Sequence, residues 1–190
     1  MQYGFRNVSM DDIASNLGMS KKTLYQHFTE KEELVAAALE FDIENNQKDC
    51  VRCTNTSNNA IAEVYDIISV VAEQLRDMNP MVLFEMQKFH PKAFKRFQQH
   101  KDEFILKMIH QNLLRGIAEG LYREDINIEV LAKFRLESMM LIFNPEIFPF
   151  SKSYPLMDLM MIIGEHFLFG ISTNKGYKLI QKHQLDRSKK

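Results

Sequence analysis

The polar residues from Ser20 to His27 are of the types that contact nucleic acid. Ser20 is suited to cap a short helix, on which Leu24 and Phe28 share an apolar face. The polar side chains left to point outward are Lys21, Lys22, Tyr25, Gln26 and His27. Such side chains can reach base edges in a major groove, and the free N–H groups that begin a helix can bind phosphate. This spacing favours DNA recognition.

Other residues that could carry chemistry are less well placed. Cys50 and Cys53 form a C-x-x-C pair, which can be a redox couple or half of a zinc site. There is no second cysteine pair, the six histidines are scattered, and Glu165-His166 lies in an apolar helix. Nucleophile-elbow, phosphate-loop and dinucleotide motifs are absent. We therefore expect no catalytic residue, no metal, no cofactor and no enzymatic activity.

The elements that position these residues are helices, because apolar residues recur at three- and four-residue spacing along nearly the whole chain. The spacing predicts helices over Ile61–Leu75, Met81–Phe89, Pro91–Glu119, Val130–Phe143 and Leu156–Ile171. No segment alternates apolar and polar residues as a half-buried strand does. The chain is predicted to be all-α.

The first forty residues carry three helix-start signals in close succession. Ser9 with Asp12 resembles a capping box, and Gly18 is suited to end the helix that follows. Ser20 begins a second helix after a turn of three residues, and Thr29 is the third capping signal. Two short helices joined by a tight turn, with a longer helix directly after them, predict a helix-turn-helix unit.

Composition bears on how the chain could bind DNA and on the compartment in which the protein is expected. With 24 Lys and Arg against 25 Asp and Glu, the net charge is -1, so any DNA contact depends on a local patch. Two cysteines suit a reducing cytoplasm, and no signal peptide opens the sequence. The apolar run Leu159–Gly164 is far shorter than the roughly 20 residues of a membrane span. We expect a soluble cytoplasmic protein.

The stretch from Gly4 to Leu34 resembles the TetR family of bacterial regulators. The matching elements are Gly4-Phe5, Ile13-Ala14, Gly18-Met19-Ser20, Thr23-Leu24-Tyr25, His27-Phe28 and Lys31-Glu32-Glu33-Leu34. The match covers a small part of the chain but is highly specific. The family has a full helix ahead of the position of Gly4, where this sequence has only Met1-Gln2-Tyr3, so we expect that helix to be largely missing here.

The resemblance implies roles for individual residues. Base-reading or groove-facing positions are matched by Lys21, Lys22 and Thr23, phosphate-contacting positions by Ser9, Tyr25, His27 and Lys31, and further contacts are expected from Met10 and Gln26. It also implies a ligand-responsive repressor that binds a palindromic double-stranded DNA operator as a homodimer.

A polar stretch at Asn45–Asn59 suggests where the chain divides. We predict a helix-turn-helix DNA-binding domain over residues 1–47 and a helical ligand-binding and dimerisation domain over residues 48–190. Helices of the second domain are expected to converge on an apolar pocket for a small hydrophobic effector. The residues predicted to line it are Tyr65, Phe84, Phe104, Met108, Phe134 and Met139.

The segment Leu156–Ile171 is apolar around most of its circumference, so it must be covered on two sides. One cover is its own domain, and a second copy of the chain is predicted to be the other. We expect Met160, Phe167 and Ile171 at this dimer interface, and the family resemblance implies a four-helix bundle there.

Two other functions fit parts of the pattern. A helical ligand- or lipid-binding protein could use the N-terminal hairpin to dock a protein partner instead of DNA. An enzyme with a reactive Cys50 and Cys53 pair is the third hypothesis. Salt-dependent DNA binding would separate the first hypothesis from both, because phosphate contacts release counterions.

Overall fold

The computed structural model describes residues 8–76, 78–79, 81–149 and 155–188. Within these ranges the regular structure is helical, with one isolated bridge between Tyr122 and Ser172. The α-helices are α1 Met10–Asn16, α2 Lys21–His27, α3 Lys31–Thr56, α4 Ala60–Gln74, α5 Val82–Phe89, α6 Pro91–Gln99, α7 Leu106–Ala118, α8 Ile128–Met140, α9 Leu156–Ile171 and α10 Asn174–Arg187. The prediction of an all-α fold is confirmed.

Most of the predicted helices have the expected ends, and one is interrupted. The segment Pro91–Glu119 was predicted as a single helix, but a π-helical stretch, His100–Ile105, separates α6 from α7. Periodicity does not reveal this change, because a π turn shifts the helix register while the chain remains helical. Pro91 stands in the first turn of α6, and Gly120 follows α7 with φ +67°, as their types predict.

The N-terminal unit has a small core of its own. Met10 and Ala14 of α1 are buried against Leu24 of α2, and the partly buried Phe28 and Leu34 pack beside them. This core fixes α1 and α2 against the start of α3. The predicted pairing of Leu24 with Phe28 on one face is therefore present.

The larger core lies between α4, α7, α9 and α10. Its most deeply buried side chains include Ile61, Leu113, Tyr122, Leu168 and Ile180, all 2% exposed or less. Because α10 carries so few apolar residues, its spacing gave no helix prediction.

Helix α3 ends at Thr56, and the turn Ser57–Asn59 leads into α4. Helix α3 continues through most of the polar stretch, and the predicted boundary at residues 47 and 48 lies inside it. Asn59 then caps α4 by accepting from the Ala62 N–H at 2.9 Å. The N-terminal unit and the larger part of the molecule thus share one continuous helix.

We also compared the described helices with the length and hydropathy that a bilayer requires. None of those described is both long enough and apolar enough to cross a membrane.

Candidate nucleic-acid interface and internal cavity

The start of α1 is fixed by a reciprocal capping box. Asp12 donates its backbone N–H to Ser9 Oγ at 3.2 Å, while Asp12 Oδ2 accepts from the Ser9 N–H at 2.8 Å and from its hydroxyl at 2.6 Å. These donors hold the pKa of the Asp12 carboxyl below its ordinary value. Ser9 therefore serves as a cap, at an exposed position where a phosphate can approach.

The turn between α1 and α2 has the geometry that its residue types predict. Gly18 has φ +65°, a conformation that glycine adopts at little cost, and the next N–H, of Met19, bonds to the Ala14 carbonyl at 3.0 Å. Ser20 Oγ accepts from the Thr23 N–H at 3.1 Å and thereby caps α2. Only local contacts are needed to set the angle at which α2 leaves α1.

Helix α2 presents a polar outer face. Lys22, Tyr25, Gln26 and His27 are exposed on it, while Leu24 on the opposite side is buried. This is the arrangement by which a short helix can enter a major groove with its apolar side against its own domain.

The remaining residues expected at the DNA surface have other contacts. Met10 is buried at 7% exposure in the core of the N-terminal unit, so its predicted DNA contact is not supported by this structure. Lys21 forms an ion pair with Asp11, and the Thr23 hydroxyl hydrogen-bonds Ser20 Oγ at 2.8 Å. Lys31 is partly buried in the first turn of α3.

The start of α3 differs in detail from the predicted Thr29 cap. Glu30 occupies the cap position without a side-chain hydrogen bond. Instead, Glu33 Oε2 accepts from the Thr29 N–H at 2.7 Å and from its hydroxyl at 2.9 Å, which lowers the pKa of the Glu33 carboxyl. The Gly4-Phe5 match lies outside the described residues.

A cavity of about 350 Å³ lies in the larger half of the molecule. It is walled mostly by apolar side chains of α3, α4, α5, α8 and α9, among them Ile43, Ile68, Met86, Met139 and Met160. A second cavity of about 80 Å³, bounded by Phe104, Met108 and Leu113, shares part of this wall. The volume and apolar wall suit a small hydrophobic molecule.

The polar unit at the N-terminus matches a known family. The model for bacterial regulatory proteins of the tetR family covers residues 1–38, which include α1, the Gly18 turn and α2. Residues 1–38 therefore resemble the N-terminal unit of TetR-family transcriptional regulators.

Curated proteins and solved structures resemble this chain along nearly its whole length. An uncharacterized HTH-type transcriptional regulator of Bacillus subtilis, YvaF, is 25% identical over 176 residues, which are 92% of this chain and 90% of that protein. A transcriptional regulator from Cytophaga hutchinsonii superposes with TM-score 0.72 and 21% identity, over 90% of this chain and 92% of that one.

A third resemblance is to the ketosteroid transcriptional regulator KstR2 of Mycobacterium tuberculosis. Its TM-score is 0.64 with 18% identity, over 89% of this chain and 87% of that one. At such identities, the two structural matches establish a shared fold.

The predicted pocket residues of this chain divide into two groups. Phe104, Met108 and Met139 line the cavities. Tyr65 lines neither of the two; its hydroxyl donates to Glu165 at 3.1 Å. The prediction of Phe84 and Phe134 as pocket residues is wrong. They are 48% and 55% exposed, because each lies on the outward face of its helix.

Several residues of the cavity wall were not predicted. Leu39 and Ile43 come from α3, and Val82 from α5. Arg135 of α8 also lines both cavities. The burial of Arg135 could be predicted from the sequence, because Arg135 follows Ala132 by three residues and therefore lies on the apolar face of α8.

The predicted dimer residues are also corrected by the structure. Met160, Phe167 and Ile171 are buried inside this chain at 8%, 7% and 3% exposure. The apolar side chains that α9 leaves exposed include Ile162 at 63% and Met157 at 46%. Ile162 lies on the face of α9 opposite to the predicted one, whereas Met157 is exposed in the first turn of the helix.

Helix α6 is bound to the DNA-proximal end of α3 by charged contacts. His90, directly before α6, places Nδ1 2.6 Å from Glu32 Oε2. Arg96 forms two hydrogen bonds of 2.7 Å with the Glu40 carboxylate, which lowers the pKa of Glu40. A displacement of α6 would therefore be transmitted directly to α3.

The two cysteines are buried free thiols. Burial raises the pKa of Cys50 to about 12 and also raises that of Cys53, which disfavours the thiolate that redox and metal chemistry require. No group of three or more metal-binding side chains occurs among the residues that the structure describes.

Proposed function

We propose that this regulator is a repressor that binds a palindromic operator as a homodimer and releases it when a small apolar effector fills the cavity. The observation that carries the proposal is that α3 contributes both to the unit that holds α2 and to the cavity wall. Ligand and DNA would then act on the middle and on the N-terminal end of the same helix.

On DNA, α2 would lie in the major groove. Lys22 stands at the second position of α2, beyond the Ser20 cap, where its side chain can reach base edges. Tyr25 and His27, together with Ser9 and Lys31 at helix starts, would contact phosphates and set the register. Lys21, Thr23 and Gln26 remain proposed contacts at the groove, with Lys21 first exchanging Asp11 for DNA.

The dimer would be formed by the exposed faces of α9 and α10. Ile162 and Met157 of α9 and Tyr177 and Leu185 of α10 are between 46% and 63% exposed. Burying such a face against its symmetric copy would place two α2 helices on successive major grooves. We propose residues 1–47 as the DNA-binding domain and residues 48–190 as the ligand-binding and dimerisation domain.

The effector would act by shifting a conformational population. A ligand changes operator affinity only if it binds one arrangement of the two α2 helices better than the other. The ketosteroid regulator of Mycobacterium tuberculosis, whose fold is shared, supports an organic effector as the class of ligand. The proposed place of action is the cytoplasm.

The experiment that tests DNA binding compares lysine variants. Operator fragments are selected from genomic DNA with the full chain, and affinity is measured for one operator and one scrambled duplex over a salt series. Lys22→Ala should weaken the operator by about 1–3 kcal/mol and the scrambled duplex much less. Lys31→Ala should weaken both equally and reduce the salt slope by about one unit.

The matched control is Lys133→Ala, which removes the same charge from an exposed position of α8. It should leave both affinities unchanged. Equal weakening of operator and scrambled duplex by Lys22→Ala would refute the base-reading role. Salt-independent binding, or none, would favour the docking of a protein partner instead.

A further inference from the structure

Arg135 is a positive charge in the wall of both cavities. It lies on α8 at 6% exposure, with its guanidinium carbon 5.5 Å from the centre of the Phe167 ring. A Cβ at Gly164 would lie 3.3 Å from Arg135 Nη2, so the absence of a side chain there leaves room for the guanidinium. The surrounding wall is otherwise largely apolar.

This guanidinium lacks the partners that other arginines in the molecule have. Arg96 binds the Glu40 carboxylate, and Arg115 binds Glu63. No salt bridge found among the described residues includes Arg135, and its buried Nη1 has no hydrogen-bond partner there. Burial lowers the pKa of Arg135 to about 10, which still leaves it protonated at neutral pH.

Polar groups elsewhere in the wall of the larger cavity are engaged or neutral. Asn46 donates to Gln74 at 3.1 Å, and the His100 ring lies 3.3 Å from Gln47 Nε2. Burial lowers the pKa of His100, which favours its neutral form. Asp42 is the other charged residue of this wall and is exposed to solvent. The cavity therefore offers one buried positive charge to a ligand.

An unpaired buried charge is costly, and a ligand anion that pairs with it recovers part of that cost. The planar guanidinium presents parallel N–H donors that match the two oxygens of a carboxylate. A phosphate monoester carries about -1.5 to -2 charge at neutral pH and three acceptor oxygens, more than one arginine can satisfy.

We propose that the effector is an apolar monocarboxylate whose carboxylate binds Arg135 and whose hydrocarbon part lies along Ile43, Ile68 and Met86. The regulatory meaning of this binding rests on the proposed function, whereas the binding itself does not. The inference defines the effector by a single negative head and an apolar body that fits about 350 Å³.

The test uses calorimetric titration of the full chain with octanoate, octanol and octyl phosphate, which share one tail. Octanoate is expected to bind at least tenfold more tightly than octanol, as a charge-assisted pair in a dry site allows. It should also bind more tightly than the phosphate. Arg135→Met should abolish the preference for acid over alcohol, while Met139→Leu, in the same wall, should retain it.

A second measurement shows whether Arg135→Met is folded. Because methionine replaces an unpaired charge by an apolar chain of similar length, the variant's ligand-free melting temperature should equal or exceed that of the parent. A large loss would indicate an internal partner for Arg135 and overturn the proposal. Equal affinity for acid and alcohol, tighter phosphate binding, or binding of neither acid nor alcohol would also overturn it. Operator affinity measured on the same samples tests the proposed function separately.

Discussion

Replacing Arg115 should destabilise the joint between α3 and α4. Its Nη1 donates to Glu63 Oε2 at 2.9 Å and to the Thr54 carbonyl at 3.1 Å, and its Nη2 donates to the Ser57 carbonyl at 2.8 Å. Glu63 is only 1% exposed, so removing the guanidinium leaves a buried carboxylate with the Thr54 hydroxyl at 3.1 Å as its remaining partner.

The size of the effect follows from burial. Breaking a fully buried ion pair by removing one partner costs about 3–5 kcal/mol. The Arg115 side chain is 28% exposed, so water can replace part of the contact and the lower value of about 3 kcal/mol applies to Arg115→Met. For a chain of this size, that corresponds to a fall in melting temperature of about 6–12 °C.

The assay is thermal and urea unfolding of Arg115→Met, Glu63→Gln and the double variant at one fixed protein concentration. Glu63→Gln alone should cost about 1 kcal/mol, because Arg115 keeps Glu119 and two carbonyls as acceptors. The double variant should be more stable than Arg115→Met, since it no longer buries an unpaired carboxylate. Losses that simply add to within about 0.5 kcal/mol would refute this reasoning.

Three further outcomes are expected. Ile162→Asp should convert a dimer to a monomer in sedimentation velocity. The control Val130→Asp, on the exposed face of α8, should leave the dimer intact. A dimer that survives Ile162→Asp would contradict the proposed interface. Cys50, with its pKa raised to about 12, should react with a disulfide reagent at least about 30-fold more slowly in the native than in the unfolded chain, because the smaller thiolate fraction outweighs the greater nucleophilicity of the more basic thiolate. Rapid native reaction would revive the redox hypothesis. Ser9→Ala should cost about 1 kcal/mol at pH 7. Folding lowers the pKa of the Asp12 carboxyl, so the ionised carboxylate contributes its full share of this stabilisation above pH 3.8, its ordinary pKa. That share should fade as the pH falls through the lower pKa of the folded protein, and an unfolding series in acid would show it.

The helix-turn-helix unit was predictable because its contacts are local. The Ser9 capping box, the Gly18 turn and the Ser20 cap each join residues no more than five apart, so residue type and spacing define the geometry. The predicted Thr29 cap gave the start of α3 to within two residues, although the contact is made by Glu33.

The orientation of helix faces was not predictable where apolar residues surround a helix. In α9, Phe167 and Ile162 are equally apolar in sequence, yet the first is buried in the chain and the second is exposed. Phe134 of α8 and Phe84 of α5 failed for the same reason, because only long-range packing decides which apolar side faces inward.

The sequence around Arg135 indicates a charge on the buried face of α8. A charged residue at the helical spacing of Ala132 and Met139 marks a polar group placed where apolar side chains belong. Such a position indicates either an internal partner or a ligand. Only the packed structure shows that Arg135 is buried and that its Nη1 has no hydrogen-bond partner among the described residues.

Helix α3 connects the unit that holds α2 to the wall of the cavity. Its 26 residues span roughly 39 Å, which is about the separation of two successive major grooves. Ile43 of the cavity wall lies roughly 18 Å from the start of α3, so a tilt of about 5° about the cavity would displace the end beside α2 by roughly 1.6 Å, about half the rise of one base pair. The displacement of α2 is thus set by the tilt of α3 and by the distance of α2 from the cavity, provided that α3 stays straight along its length.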